Sequence, residues 1–182
     1  LYMSRDKLSV ILAVDLDNTL IKTDMIYVGI KHLLFYKLYL LPKLLWLLVF
    51  RGKPYAKKYL YDNTSFDIKK ISFNDSVTNF IKLNRDNYTH IILISGSYFK
   101  YVDYMARHLN MFDSCVGTTL EVNMISTNKV EYLENKYNNF VFDYIGDSIK
   151  DIPIWEQART AYVVDNGSII DKIKHIDYKI IS

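Results

Sequence analysis

The sequence predicts an α/β fold, a Rossmann-like parallel sheet flanked by helices with a small helical cap inserted after the first strand. Three observations carry that prediction. Short strand-like runs beginning at Val10, His90 and Phe140 each end in carboxylates or hydroxyls, as central strands of a parallel sheet do when they are buried on both faces and open onto a site. The segments between them alternate apolar and polar residues at helical spacing. A Leu-rich stretch from Met25 to Phe50 separates the first strand from the helix that returns the chain to the sheet, so an insertion is expected there. The expected core is 1–22 with 72–182, and the expected cap is 23–71.

Composition sets the bounds. With 182 residues, half of them hydrophobic, the chain can bury one core plus a sizeable insertion. A formal charge of +3, with 23 Lys and Arg scattered rather than blocked, gives no reason to expect nucleic acid. Cys115 is the single cysteine, which rules out an internal disulfide and fits a reducing compartment as a small apolar side chain. Leu1-Tyr2-Met3-Ser4-Arg5 contain no signal-peptide core, and an opening Leu makes Met3 the expected native start. No repeat or low-complexity tract is present.

The first strand, Val10-Ile11-Leu12-Ala13-Val14, delivers Asp15 and Asp17. In open α/β sheets ligands bind beyond the carboxyl ends of the strands, and Asp-x-Asp on extended backbone points both side chains the same way. Such a pair can hold a hard cation and divide nucleophilic and acid/base duties; an ordinary Asp-rich turn is the plainer alternative.

Next comes the Leu-rich insertion. Lys37, Lys43 and Pro42 interrupt Leu33 to Phe50. A lysine near the middle of a span costs roughly 2.5 to 3.5 kcal/mol, which disfavours a simple transmembrane helix, and Pro42 is expected to divide the region into two short helices. Leu33, Leu34, Phe35, Leu38, Leu40 and Leu41 spread nearly all around the first helix instead of forming one stripe. Two readings of this surface stay open: a cap packed on itself and on the core, or a lipid-facing surface with Lys31, Lys37, Lys43 and Arg51 near headgroups. On the second reading Leu44 to Leu48 lie partly on the surface. Arg51-Gly52-Lys53-Pro54 is a turn, followed by polar-faced helical pieces at 55–62 and 67–71.

Asn74 or Asp75 is expected to cap a helix to about Asn87, with Val77, Phe80 and Ile81 inward. A strand from His90 then ends in Ser95-Gly96-Ser97, a junction where a hydroxyl and backbone N–H groups can meet an anion, or an ordinary turn. A helix at 98–109 and a short strand at 112–117 follow. Lys129 opens a helix from which it can reach the strand ends. The strand from Phe140 ends in Gly146-Asp147-Ser148-Ile149-Lys150-Asp151. Gly146 is expected to permit a tight turn, and Pro153 suits the first turn of the helix carrying Trp155. Four carboxylates gathered at strand ends, Asp15, Asp17, Asp147 and Asp151, would repel one another unless a divalent cation neutralised them, so a Mg²⁺ site is expected.

Asp-x-Asp-x-Thr after the first strand, Ser95 after a second, Lys129 downstream and Gly-Asp-Ser-x-x-Asp after a later strand occur in one order over the whole chain. This pattern resembles the haloacid dehalogenase-like (HAD) superfamily of phosphatases. The resemblance implies that Asp15 is a nucleophile forming an aspartyl-phosphate and that Asp17 protonates the leaving oxygen and then activates water. It also implies that Ser95, Gly96 and Lys129 hold the phosphoryl group, with Mg²⁺ held by Asp15, the Asp17 carbonyl, Asp147 and Asp151. Asp17 separates phosphatases from dehalogenases and ion pumps, which lack an Asp there. Asn18, where Gly is commoner in the family, tolerates unusual backbone angles.

A narrower resemblance, through Leu20 to Asp24, Leu41-Pro42, Trp46, Arg51-Gly52-Lys53, Phe142-Asp143-Tyr144, Trp155, Ala158 and Arg159, is to the HAD domain fused ahead of UbiA-type polyprenyl transferases. It implies a prenyl phosphate or prenyl-linked phosphosugar as substrate, and a cytoplasmic place at the inner face of a membrane beside a membrane prenyltransferase. The chain then either stands alone or is part of a longer membrane protein. Two alternatives stand beside this: a soluble small-molecule phosphatase, for phosphoserine or a nucleotide, and a non-catalytic module for a membrane partner.

Overall fold

A computed structural model describes residues 10–137, 141–164 and 169–181. In chain order the elements are β1 (Val10–Val14), α1 (Met25–Tyr36), α2 (Leu41–Phe50), α3 (Lys53–Asn63), α4 (Asp75–Leu83), β2 (His90–Tyr98), α5 (Phe99–Leu109), β3 (Ser114–Thr118), α6 (Thr127–Lys136), β4 (Val141–Gly146), α7 (Ile152–Trp155), β5 (Thr160–Val164) and β6 (Tyr178–Ile181). The expected Met3 start and the Phe140 start of the fourth strand lie outside the described residues. The strands form one parallel sheet in the order β3-β2-β1-β4-β5-β6. This is the α/β sheet flanked by helices that the sequence predicts.

The central place of β1 follows from its composition. Val10, Leu12 and Val14 face a layer containing Val77 and Ile81 of α4 and Val102 and Met105 of α5. Ile11 and Ala13 face Leu133 of α6 and Ile154 and Trp155 of α7. Successive side chains alternate between faces, and both faces are covered, so only an unbroken apolar run satisfies the position. Each large aliphatic side chain buried this way contributes roughly 1.5 to 3 kcal/mol relative to leaving it exposed. From β1 the chain runs to β2 and β3 on one side of the sheet and to β4, β5 and β6 on the other. The crevice between the β1 and β4 ends is therefore where an open α/β sheet takes its ligand.

Helix boundaries follow local chemistry. Asp24 caps α1 by accepting from the Ile26 and Tyr27 N–H groups; Asn74 caps α4 by accepting from Ser76 N–H. Pro42 does not divide the Leu-rich stretch. It occupies the first turn of α2, where its missing N–H costs nothing. The break lies earlier, at Lys37 and a 3₁₀ turn over Leu38–Leu40, where the chain bends by 118°. No single described helix is long and apolar enough to cross a membrane; α1 with the Leu38–Phe50 segment passes by length and composition only as that bent pair. Gly52, at φ 87°, closes α2 by donating to Leu47 O at 2.9 Å and starts α3.

α1 buries Met25, Gly29 and Leu33, and an added Cβ on Gly29 would sit 3.3 Å from Leu60 of α3. α2 buries none of its residues. Leu45, Trp46, Leu48, Val49 and Phe50 are exposed, and Leu44 and Leu47 are half-buried. The insertion is therefore not packed away on all sides, as the apolar count had suggested.

Two further differences from the sequence reading bear on the site. Ser95-Gly96-Ser97 is not a turn after β2 but the end of the strand, which continues to Tyr98 with a register shift against β3 between Ile94 and Tyr98. β3 holds it there, because Gly117 lets the chains approach; a Cβ on Gly117 would lie 2.8 Å from Ser97 O. β5 and β6 complete the sheet beyond Trp155, where the sequence reading assigned no element.

Candidate active site

At the sheet's carboxyl edge a cavity of about 160 Å³ is lined by Asp15, Asp17, Lys57, Ser97, Lys129 and Asp147, with Gly96 and Asp151 also on its wall. That volume leaves ample room for a phosphoryl-sized group. β1 delivers Asp15, whose N–H donates to Ile145 O at 2.9 Å and so locks the β1 end to β4. Asn18 takes the left-handed conformation at φ 56°. That lets the chain fold back so that Thr19 donates to Asp147 Oδ1 at 3.1 Å and Asp17 Oδ1 accepts from Met25 N–H at 2.8 Å.

Carboxylate oxygens of Asp15, Asp147 and Asp151 lie within 4.8 Å of one another, all three residues buried. Hard oxygen donors gathered this closely suit a divalent cation, and the electrostatics favour one. Burial pushes the Asp15 carboxyl up, Asp151 and Asp17 push it further, and Lys129 opposes them. Asp147 is pushed up to about 6 by burial and then by Asp151. Burial also raises Asp17, against the hydrogen bond from Ser97. The donor set therefore fits a resident cation: bringing in positive charge restores the ionised state that burial disfavours.

Lys129, on the first turn of α6 and buried, donates to Asp15 Oδ1 at 2.7 Å and to Tyr144 Oη at 2.7 Å, and lies 3.5 Å from Asp151 Oδ1. Burial works against its charge, but Asp15 and Asp151 outweigh it and hold its pKa above the ordinary range. Asp151 is fixed from three sides. Tyr144 Oη donates to its Oδ1 at 2.8 Å, and the N–H groups of Asp147 and Ser148 donate to its Oδ2 at 3.3 and 3.2 Å.

Gly146 is needed for space, not for a turn angle: it has no positive φ, but a Cβ there would meet Asp151 Oδ2 and Tyr144 Cε1 at 2.7 Å. Gly146→Ala is accordingly expected to push Asp151 aside and weaken divalent-cation binding about 10- to 100-fold, as changes to groups supporting metal ligands do. Calorimetric titration with Mg²⁺ measures this, and an unchanged affinity with an unchanged melting temperature would show that the close approach is idle.

Six of the seven residues singled out in the sequence line this one cavity: Asp15, Asp17, Gly96, Lys129, Asp147 and Asp151. Ser95 does not. It is wholly buried behind the wall, donating to Asp17 Oδ2 at 3.0 Å and accepting from Ser97 N–H. Ser97, two residues on and on the same strand face, reaches the cavity and donates to Asp17 Oδ2 at 2.7 Å. The period-two pattern could have flagged it.

The sequence reading missed Lys57 and the role of Tyr144. Lys57, buried on α3, donates to Gly96 O and Asn123 Oδ1 at 2.5 Å each, with Thr118 Oγ1 at 3.4 Å. It ties the insertion to the β2 end and to the loop after β3. Burial lowers its pKa to about 8, against the pull of Asp17. No local motif marks it.

The fold has named counterparts. The phospho-aspartyl intermediate analogue of phosphoserine phosphatase superposes with a TM-score of 0.66 at 16% identity, over 97% of this chain and 95% of that one. A HAD family hydrolase, t0658, from Salmonella enterica serovar Typhi gives a TM-score of 0.63 at 13% identity over 98% of this chain and 70% of that one. This chain has the fold of these phosphatase and hydrolase structures. A protein of unknown function from Bordetella pertussis Tohama I also superposes, with a TM-score of 0.71 at 11% identity over 97% and 99% of the two chains. In sequence, the chain is 28% identical over 155 residues to the uncharacterized protein y4nM of Sinorhizobium fredii (strain NBRC 101917 / NGR234). That match takes in 84% of this chain but 29% of y4nM, so the chain spans about three-tenths of that relative's length. No family model matches the chain.

Proposed function

We propose that this chain is a Mg²⁺-dependent phosphatase that cleaves phosphate monoesters through an aspartyl-phosphate on Asp15. The observation that carries the reading is the buried Lys129–Asp15 contact at 2.7 Å beside the Asp147–Asp151 pair. That contact supports the reading because a cation and a set of carboxylates able to hold a second one lie beside the Asp15 carboxylate. That a structure of the same fold is a phospho-aspartyl intermediate analogue is consistent with it.

Asp15, Asp147 and Asp151, with the Asp17 carbonyl, are the groups that would hold Mg²⁺, whose charge offsets that of the phosphoryl oxygens. In the first half-reaction an Asp15 oxygen bonds to phosphorus, the bond to the leaving oxygen breaks, and Asp17 gives that oxygen its proton. Burial raises the pKa of Asp17, the direction a proton donor needs. In the second, Asp17 takes a proton from water, the water oxygen bonds to phosphorus, and the bond to Asp15 breaks, returning both carboxyl groups to their starting states. Lys129 neutralises charge on the phosphoryl oxygens throughout. Ser95 and Ser97 steady Asp17, and Gly96 lies on the wall against which the phosphoryl group would rest.

The test is a phosphatase screen with Mg²⁺ over phosphoserine, nucleotides, sugar phosphates and prenyl phosphates. Hydrolysis that stops on chelation with EDTA and returns with added Mg²⁺ is expected. Turnover indifferent to chelator would remove the metal from the reading.

For substrate, we infer a prenyl phosphate or prenyl-linked phosphosugar, with residues 23–71 acting as the cap over a core of 1–22 and 72–182, at the cytoplasmic face of a membrane beside a prenyltransferase. Support comes from the insertion, where Tyr36 is 76% exposed, Trp46 52% and Phe50 68%. Large apolar patches of this kind mark partner or membrane sites, and Lys31, Lys43 and Arg51 flank them. The protein is expected to sediment with anionic vesicles, less at high salt. The double variant Trp46→Ser/Leu47→Ser should stay in the supernatant while still cleaving a small soluble phosphate. Wild type that ignores vesicles would defeat the membrane reading and leave the catalytic one standing.

A soluble small-molecule substrate is the second reading. Lys57 favours it, because the insertion sends one buried cation to the cavity wall, where it suits a small anionic leaving group. A non-catalytic partner module would have no use for four carboxylates and Lys129 converging on one cavity.

A further inference from the structure

On the other side of the α1 N-terminus lies a second, larger groove of about 540 Å³, bounded by α1 and by residues 65–72 leading back to the sheet. The two hollows share a wall: Thr23 lines this groove and the next residue, Asp24, lines the catalytic cavity. α1 presents Tyr27, Lys31 and Phe35 to it in one stripe at four-residue spacing.

The lining has two kinds of chemistry. Lys22, Lys31 and Lys70 are all exposed, and among the described residues none of them pairs with a carboxylate. The only carboxylate on the lining, Asp67, accepts from Lys69 N–H at 3.0 Å. Beside the lysines, Phe35 is 73% and Tyr36 76% exposed, and the apolar surface continues through Leu38 and Tyr39 towards α2. Three lysines outside any ion pair outnumber the one carboxylate and suit a phosphate, and a soluble phosphate would give the bordering aromatic rings nothing to cover them. An anion joined to a long apolar chain satisfies both.

We propose that this groove seats the phosphodiester headgroup of an anionic bilayer lipid, with Lys22, Lys31 and Lys70 around the phosphate and the chains passing along Phe35 and Tyr36 to the exposed face of α2. The proposal rests on the membrane-surface reading above and adds the residues that recognise the headgroup. It sets the α1–α2 bend against the lipid and leaves the catalytic cavity behind the first turn of α1.

The experiment is co-sedimentation of the full chain with phosphatidylcholine vesicles, with and without phosphatidylglycerol. Wild type, Lys31→Gln/Lys70→Gln and a control, Lys82→Gln/Lys172→Gln, which removes the same charge from exposed sites elsewhere, are compared. The groove variant is expected to lose on the order of tenfold or more in partition to the anionic vesicles while binding neutral vesicles like wild type, with the control close to wild type. An equal fall for groove and control variants reduces the effect to net charge and overturns the site. So does displacement of wild type from the vesicles by inorganic phosphate at concentrations too low to screen, which would make the groove a free-anion site. Full anionic preference in the groove variant overturns the proposal and spares the membrane reading; absence of vesicle binding by wild type sinks both. Circular dichroism of each variant separates loss of the site from loss of the fold.

Discussion

Asp15→Asn is expected to abolish phosphate-ester hydrolysis, lowering kcat by at least about 10⁴-fold, the scale seen when a nucleophile is removed from a covalent mechanism. Two losses combine. An amide is a poor nucleophile towards phosphorus, and it takes one anionic ligand from the Asp15, Asp147 and Asp151 set. The fold should survive, because the Asn carbonyl oxygen can still accept from Lys129 and the main-chain bond from residue 15 to Ile145 O is untouched. The measurement is phosphate release from an aryl phosphate with saturating Mg²⁺, beside a melting curve. Undiminished release by the folded variant would sink Asp15 as nucleophile, and with it the aspartyl-phosphate.

Asp17→Asn is expected to act selectively. If Asp17 supplies the proton to the leaving oxygen, alkyl phosphates should lose about 10²- to 10⁴-fold, whereas aryl phosphates, whose leaving oxygen hardly needs a proton, should lose much less in the first step. The side chain is well placed for the comparison: Ser95 and Ser97 donate to one oxygen and Met25 N–H to the other, so its position is held by three donors. An Asn there keeps a carbonyl acceptor but cannot give a proton and take it back. Rates for a matched alkyl and aryl pair, together with a burst measurement that isolates the first half-reaction, check this. Equal losses in that half-reaction would reassign Asp17 to support of the metal site.

Both predictions rest on residues legible in the sequence, because carboxylates gather at the ends of several buried strands in one order along the chain. The strand run at Val10–Val14 and the Asp, Ser and Gly-Asp signals at three strand ends identified the sheet and most of the cavity wall. Local geometry explains why: period-two burial and the carboxyl-edge rule act over a few residues. Boundaries were less legible. Ser95-Gly96-Ser97 reads as a turn until β3 is seen pairing alongside it, and Pro42 reads as a breaker although it serves equally well in a helix's first turn.

What the sequence by itself determined is the α/β class, the central place of β1, the four carboxylates with Lys129, and an unusually apolar helical stretch after β1. Those follow from residue type and near spacing. Only the tertiary structure decided that Ser97 rather than Ser95 reaches the cavity, that Gly146 is there to admit Asp151, that Tyr144 steadies Lys129 and Asp151, and that Lys57 comes from the insertion to close the wall. It alone also gathered Lys22, Lys31 and Lys70 around one groove. Each of these is a meeting of side chains from separate elements or of atoms crowded by packing, and no local pattern encodes such a meeting. Burial adds the last part: it raises the pKa values of Asp15, Asp17 and Asp147 and lowers that of Lys57, because removing water from a charge costs more than any one neighbour here returns.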